Sequence, residues 1–304
     1  MRFSIQLPTD RIDVPDEFLH ADAIAPMARC IEAAGFDACF VTDHPAPPRR
    51  WIDTGGHHTL DPFVALSFAA AATRRLRLQT HVLIAAYRNP FLTAKAVASL
   101  DRLSGGRAIL GIAAGYLKGE FAALGVDFDT RNERSDEAIR TIRRIWSEDV
   151  VTIAGSDFDA RDISTLPRPV QAPHPPIWIG GNSKRAIRRA VELGDAWLPF
   201  PNAGFARHVA TARIASLDDL RERVAYLREH EAEVGRSTPL EIGFVPFGFR
   251  MFDEGRLDGE ACRTRFRELE ELGVGWVTVS APVDTRAAYE DWVARFGDEV
   301  IAKY

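Results

Sequence analysis

Lysine is scarce in this chain. Of 38 basic residues only Lys95, Lys118, Lys184 and Lys303 are lysine; the rest are arginine. Arginine suits bidentate recognition of anions, although arginine-rich codon usage accounts for most of so uniform an excess. Basic charge is not in surplus either. The net charge of −5 removes the electrostatic footprint of a nucleic-acid-binding protein. Cysteine is limited to Cys30, Cys39 and Cys262, widely spaced among apolar neighbours. An odd count without a C-x-x-C pair argues against a disulfide framework or a zinc site and for reduced core thiols. No apolar run is long enough to span a bilayer, and no charged-then-apolar segment opens the chain. The expectation is a cytoplasmic protein with no membrane partner. A G-x-G-x-x-G after the first strand, the mark of a doubly wound dinucleotide fold, is also missing.

What is present is a globular composition. The 304 residues are 46% hydrophobic and 27% charged, enough to bury a large core. The most informative stretch runs from Leu76 to Gly115. Arg77 to Ala85 is β-rich and apolar, and Pro90 sits where a first helical turn tolerates a missing N–H. Phe91, Ala94, Val97, Ala98 and Leu100 follow at helical spacing. Ser104-Gly105-Gly106 stops the helix, and Ala108 to Ala113 is a second buried strand. Two parallel strands joined by a helix form a right-handed βαβ unit.

The remaining chain repeats this alternation. Strands are expected at Phe3 to Leu7, Ala38 to Thr42, Ile177 to Gly180, Ala196 to Leu198, Glu241 to Pro246 and Trp276 to Val279. Helices are expected at Pro26 to Ala34, from Asp61 to Thr73, from Asp129-Thr130-Arg131 to Trp146, and from Ser183 to Leu193. Three more follow at Ser216 to Val234, Glu260 to Leu272 and Asp284 to Ile301. Val150 to Val170 reads as a small hairpin insertion between strands four and five. Eight strand candidates, each followed by a helix, predict one (β/α)8 TIM barrel over residues 1–304.

Ordered strings along the chain resemble the bacterial-luciferase-like monooxygenase superfamily. They are Leu78, Thr80 and Val82-Leu83; Arg88, Pro90 and Ala94-Lys95; Leu100-Asp101, Leu103 to Arg107 and Leu110-Gly111. Glu120, Phe121, Gly125, Phe128, Arg131 and Arg134 match a second block of that family. The resemblance implies a flavin- or deazaflavin-dependent oxidoreductase, with the cofactor across the C-terminal mouth of the barrel. It also implies a homodimer.

Pro175 to Ser183, PPIWIGGNS, is the clearest ligand motif. Gly180 and Gly181 permit close backbone approach, and free N–H groups at a helix start favour an anion. Local sequence alone would equally suit an ordinary capped helix. By resemblance, Gly180, Gly181, Asn182 and Ser183 hold the cofactor phosphate. Asp43-His44 ends strand two, where barrel enzymes place chemistry. A histidine there is either an acid–base group or a hydrogen-bonded structural one. The resemblance to deazaflavin-dependent members gives Asp43 a cofactor contact and His44 the catalytic role. It also places a cis peptide between His81 and Val82, beside Thr80, propping the ring system. Ala113, Ala114 and Gly115 leave room for a flat ring, and Tyr116 stands where sugar-phosphate dehydrogenases of the family carry a glutamate.

Trp51 and Tyr87 are candidate walls of a substrate pocket together with Tyr116. Arg131 and Arg134 are expected to tie the long helix to its neighbours. His57-His58 has neither helical spacing nor a Cys or Glu partner, so a polar loop is expected there, not a metal site. The segment Phe244 to Phe252 suits pocket lining and core equally. The favoured function is an F420-dependent oxidoreductase moving hydride between the deazaflavin and a small-molecule substrate. The alternative cofactor, FMN, implies a monooxygenase fed by a separate reductase. A non-catalytic barrel and a metal-dependent hydrolase rank below both.

Overall fold

In a computed structural model describing residues 1–202, 211–247 and 257–304, strand and helix alternate along the chain. The barrel strands are β1 (Arg2–Gln6), β2 (Ala38–Val41), β3 (Arg77–Thr80), β4 (Ala108–Ala113), β5 (Ile177–Gly180), β6 (Ala196–Leu198), β7 (Glu241–Phe244) and β8 (Trp276–Val279). All neighbours are parallel, in the order β3-β2-β1-β8-β7-β6-β5-β4. The register Leu78↔Ala108 between β3 and β4 joins the two ends and closes the barrel. The outer helices are α1 (Ala21–Ala33), α2 (Pro62–Ala72), α3 (Pro90–Ser104), α4 (Arg131–Ser147), α5 (Lys184–Leu193), α6 (Leu217–Glu233), α7 (Gly259–Glu271) and α8 (Arg286–Glu299). This is a (β/α)8 barrel, as the alternation predicts.

Strand residues alternate between two cores. Cys39, Leu110, Ile177, Ile179, Trp197 and Val277 pack outward against the helices. Their neighbours Ala38, Ile109, Trp178, Ala196, Leu198 and Trp276 form a separate cluster that fills the barrel interior. Trp178 and Trp276 meet edge-on at 4.9 Å. Trp276 Nε1 donates to Glu241 Oε2 at 2.8 Å, so the indole N–H is satisfied where it is buried.

The capping chemistry is local and matches the sequence. Asp61, Asn89, Ser183, Ser216, Asp258 and Thr285 each accept a backbone N–H at the start of a helix. Two expectations need correction. Helix α1 begins at Ala21, and Pro26 lies inside it. Burial of Ala23, Ile24, Met27, Ala28 and Ile31 on one face outweighs the single N–H that Pro26 lacks. The expected strand from Arg77 to Ala85 is broken: β3 ends at Thr80, the His81–Val82 peptide is cis, and only Leu83 and Ile84 rejoin β4, opposite Ile112 and Ala113. The loop from Ala46 to Thr59 contains a short helix, Arg49–Ile52.

Between α4 and β5, Val151–Ala154 and Asp159–Ile163 form the expected antiparallel hairpin. It is held on α4 by Arg134 Nη2 to Asp157 Oδ1 at 2.9 Å and by Ser156, which donates to Glu137. Arg134 is therefore a structural tie, as read from the sequence. Among the described residues no helix is long and apolar enough to cross a membrane.

Candidate active site

A cavity of about 480 Å³ opens at the C-terminal ends of the strands. Its floor is apolar, formed by Val82, Ile84, Ala113 and Leu198. The break after β3 turns Val82 into this floor. Gly180 makes the floor deep: a Cβ there would meet Val82 Cγ1 at 3.3 Å and the Ala113 Cβ at 3.4 Å.

One end of the cavity is built for an anion. Gly181 (φ +119°) leads into Ser183, whose Oγ accepts from Ala186 N at 3.1 Å as the cap of α5. The N-terminus of α5 thus faces the cavity beside Arg131, Arg185 and Arg189. Arg185 and Arg189 lie four residues apart on one face of α5. Arg185 pairs with Glu133 at 2.8 Å, while Arg189 contacts Asp136 and donates to Asn132. Arg131 stacks over Phe128 at 3.8 Å and donates to its carbonyl at 2.9 Å.

The opposite end carries the titratable groups. Asp43 is buried. Its Oδ1 accepts from Arg88 Nη2 at 2.7 Å, and its Oδ2 accepts from Ile84 N and Arg88 Nε at 3.3 Å each. Burial raises its carboxyl above the ordinary range, with Arg88 opposing. His44 lines the cavity, packed between Trp51 (ring centroids 4.4 Å), His57 (5.0 Å) and Tyr116 (6.2 Å). Burial lowers the His57 imidazole, and the charge of His44 lowers it further. Burial and then Glu120 push the Tyr116 phenol up to about 12.

His81 is a third histidine of the cavity wall, after His44 and His57, and its surroundings assign its tautomer. Ser4 Oγ donates to Gln79 Oε1 at 3.1 Å. The Gln79 amide nitrogen lies 3.2 Å from His81 Nδ1 and donates to it, so the proton of His81 sits on Nε2. Burial pushes this imidazole down to about 4, so it is a neutral hydrogen-bond donor at neutral pH.

Several expected site residues stand elsewhere. Thr80 turns from the cavity and donates to Gly111 O at 2.7 Å. A Cβ on Gly111 would meet the Thr80 backbone oxygen at 2.0 Å, which is why strand four carries glycine at that position. Asn182 is fully buried, donating to the carbonyls of Phe200 and Ala212 and accepting from Phe200 N. It shapes the turn and leaves no side-chain group for a phosphate. Tyr87 is not a cavity wall: its OH donates to Glu120 Oε2 at 3.4 Å and its ring packs on Phe121. Trp51 stands behind the cavity wall, packed on the rings of His44, His57 and Tyr116. Of the segment Phe244 to Phe252, Phe244 is core and residues 248–252 lie outside the described residues.

Sequence reasoning missed the cavity roles of His57, Arg131 and Arg189. The i, i+4 spacing of Arg185 and Arg189 directly after the Gly-Gly-Asn-Ser turn was the available signal. Among the described residues no group of His, Cys, Asp or Glu could hold a metal ion.

The profile of the luciferase-like monooxygenase family matches residues 1–270. The chain belongs to that family. It is therefore a luciferase-like oxidoreductase of the flavin- and deazaflavin-dependent kind. It is 38% identical over 247 residues to an F420-dependent glucose-6-phosphate dehydrogenase of Beutenbergia cavernae, covering 80% of this chain and 69% of that one. It is 33% identical over 168 residues to an FMNH2-dependent dimethylsulfone monooxygenase of Pseudomonas putida, covering 54% of this chain and 44% of the longer enzyme. In fold it is similar to the monooxygenase RslO1 of Streptomyces bottropensis, with TM-score 0.81 at 19% identity over the full length of both. The F420-dependent tetrahydromethanopterin reductase of Methanopyrus kandleri superposes with TM-score 0.75 at 18% identity, covering 100% of this chain and 99% of that one.

The cavity suits a cofactor with a flat ring and a phosphate. The glycine-deepened apolar floor takes the ring, and the α5 N-terminus with Ser183 and the arginines takes the anion.

Proposed function

We propose that the protein is an F420-dependent oxidoreductase that moves hydride between the deazaflavin and a small organic substrate. The observation that carries this reading is an imidazole, His44, in the wall of the cavity that also holds the anion cradle. A bound deazaflavin supplies or accepts hydride at carbon and does not need oxygen. Transfer to or from an oxygen-bearing carbon also requires a proton to move at that oxygen, and His44 is the group that moves it. His81, held neutral with its proton on Nε2, donates a hydrogen bond toward the ring. Gly180, Gly181, Ser183, Arg185 and Arg189 orient the phosphate end, while Ala113, Ala114 and Gly115 leave space for the ring. Asp43 acts through Arg88 and the Ile84 N–H to hold the floor in place.

The similarity to an F420-dependent glucose-6-phosphate dehydrogenase over most of both chains supports the deazaflavin. The sugar-phosphate substrate is not carried over, because Tyr116 brings no carboxylate to its position. The dimethylsulfone relative favours the second reading, an FMN-dependent monooxygenase supplied by a separate reductase. On either reading we propose a homodimer, to be checked by sedimentation.

The test is a paired titration of the purified protein with F420 and with FMN, followed by quenching of cofactor fluorescence. Tight binding of F420 alone is expected. Preference for FMN would replace hydride transfer by oxygen chemistry. Binding of neither would leave a barrel without a redox cofactor.

A further inference from the structure

Resting on the reading of His44 as the acid–base group, we propose that Glu120 is its positioning residue, holding the His44 proton on Nδ1 so that Nε2 faces the substrate. Glu120 is only 2% exposed, yet among the described residues no lysine or arginine pairs with it. A buried carboxylate without a cationic partner is costly unless hydrogen bonds or a protonatable group compensate. Its Oε1 accepts from Ala46 N at 3.2 Å, and its Oε2 accepts from Tyr87 OH at 3.4 Å. The remaining neighbour is His44 Nδ1, 3.6 Å from Oε2. That nitrogen is shut off from solvent and has no hydrogen bond.

The other groups around the ring are already committed. Asp43 is taken by Arg88 and the Ile84 N–H, and His57 Nδ1 faces the His58 carbonyl at 3.0 Å. Trp51 and Tyr116 meet the ring as aromatic faces and edges. The phenol of Tyr87 is raised far above its ordinary value by burial and then by Asp43 and Glu120, so it stays a donor. Consecutive residues Tyr87 and Arg88 thus hold the two carboxylates apart, Arg88 on Asp43 and Tyr87 on Glu120. A carboxylate facing Nδ1 fixes the tautomer and stabilises the imidazolium whenever Nε2 takes a proton.

The test is nitrogen-15 NMR of the cofactor-free protein labelled at histidine, at a pH above the ordinary imidazole range. The His44 signals are assigned by their loss in His44→Gln. The expected wild-type result is a protonated Nδ1 and a bare Nε2. In Glu120→Gln the one amide oxygen stays with the Ala46 N–H, so the NH2 faces His44 and the proton moves to Nε2. A bare Nδ1 in the wild type, or a mixture of tautomers, would overturn the proposal, as would an unchanged tautomer in a folded Glu120→Gln. If Glu120→Gln does not fold, the wild-type spectrum decides alone. Cofactor choice does not enter this measurement, so its failure is separate from failure of the F420 titration.

Discussion

Two buried polar clusters in this barrel are built on opposite plans. At the turn between α3 and β4, Arg107 donates five hydrogen bonds, to Ser104 O, Thr73 Oγ1, Leu76 O, Ala70 O and Thr73 O, at 2.7 to 3.2 Å. Beside it Asp101 accepts from Ala108 N, Val170 N, Gln171 N and Gln171 Nε2. Every strong donor and acceptor there is used inside the protein. At the cavity the opposite holds: Thr42 Oγ1 is buried without a hydrogen bond, and Thr42 lines the cavity beside His44. Satisfied polar clusters specify architecture, whereas unsatisfied ones at a concave surface are where a ligand completes the bonding. The S-G-G-R string that carries much of the family resemblance is thus scaffold, not active site.

Paired substitutions should break that contrast most strongly. Arg107→Met leaves its carbonyl and hydroxyl acceptors buried and unpaired and should cost about 4 kcal/mol of stability, read as a lower urea midpoint. His44→Ala should do the reverse: turnover falls about 10²-fold or more, while the urea midpoint moves by less than about 1 kcal/mol equivalent. Equal losses of stability from both would erase the distinction.

A smaller effect comes from His81. Its folded-state value of about 4 lies below its ordinary 6.5. Between those values the unfolded chain binds a proton that the folded chain refuses. Stability is therefore full above about pH 6.5 and falls as pH drops toward 4, by about 3 kcal/mol in total. His81→Asn should flatten that slope in urea melts across this pH range, and an unchanged slope would assign the loss to other groups.

The smallest expected change joins the two plans in one residue. Ser183 is both the cap of α5 and a wall of the anion cradle. Ser183→Ala should cost about 1 kcal/mol of stability and weaken cofactor binding about tenfold. A loss of stability with unchanged binding would remove Ser183 from the cradle.

The barrel was legible because its signals are local. Helix caps such as Asp61, Asn89 and Ser216 act within three residues, and buried strands such as Ile177–Gly180 are continuous apolar runs. The anion turn at Gly180 to Ser183 was legible for the same reason. The failures were all non-local. Pro26 reads as a helix start, but burial of the α1 face carries the helix through it. Tyr87 and Asn182 read as ligand groups because their residue types suit that role. Only the neighbours brought by folding, Glu120 on the one and Phe200 with Ala212 on the other, decide that their polar atoms are spent.

By itself, then, the sequence determined the alternation of strands and helices, their caps, and the glycine turn that faces an anion, since each depends on residues a few positions apart. The tertiary structure alone decided which side chains share the cavity. His44, His81, Tyr116 and Arg189 come from four separate segments, and their meeting depends on barrel closure between β3 and β4. Charge, burial and hydrogen-bond competition act through space, so no spacing along the chain encodes which of them remains free for a ligand.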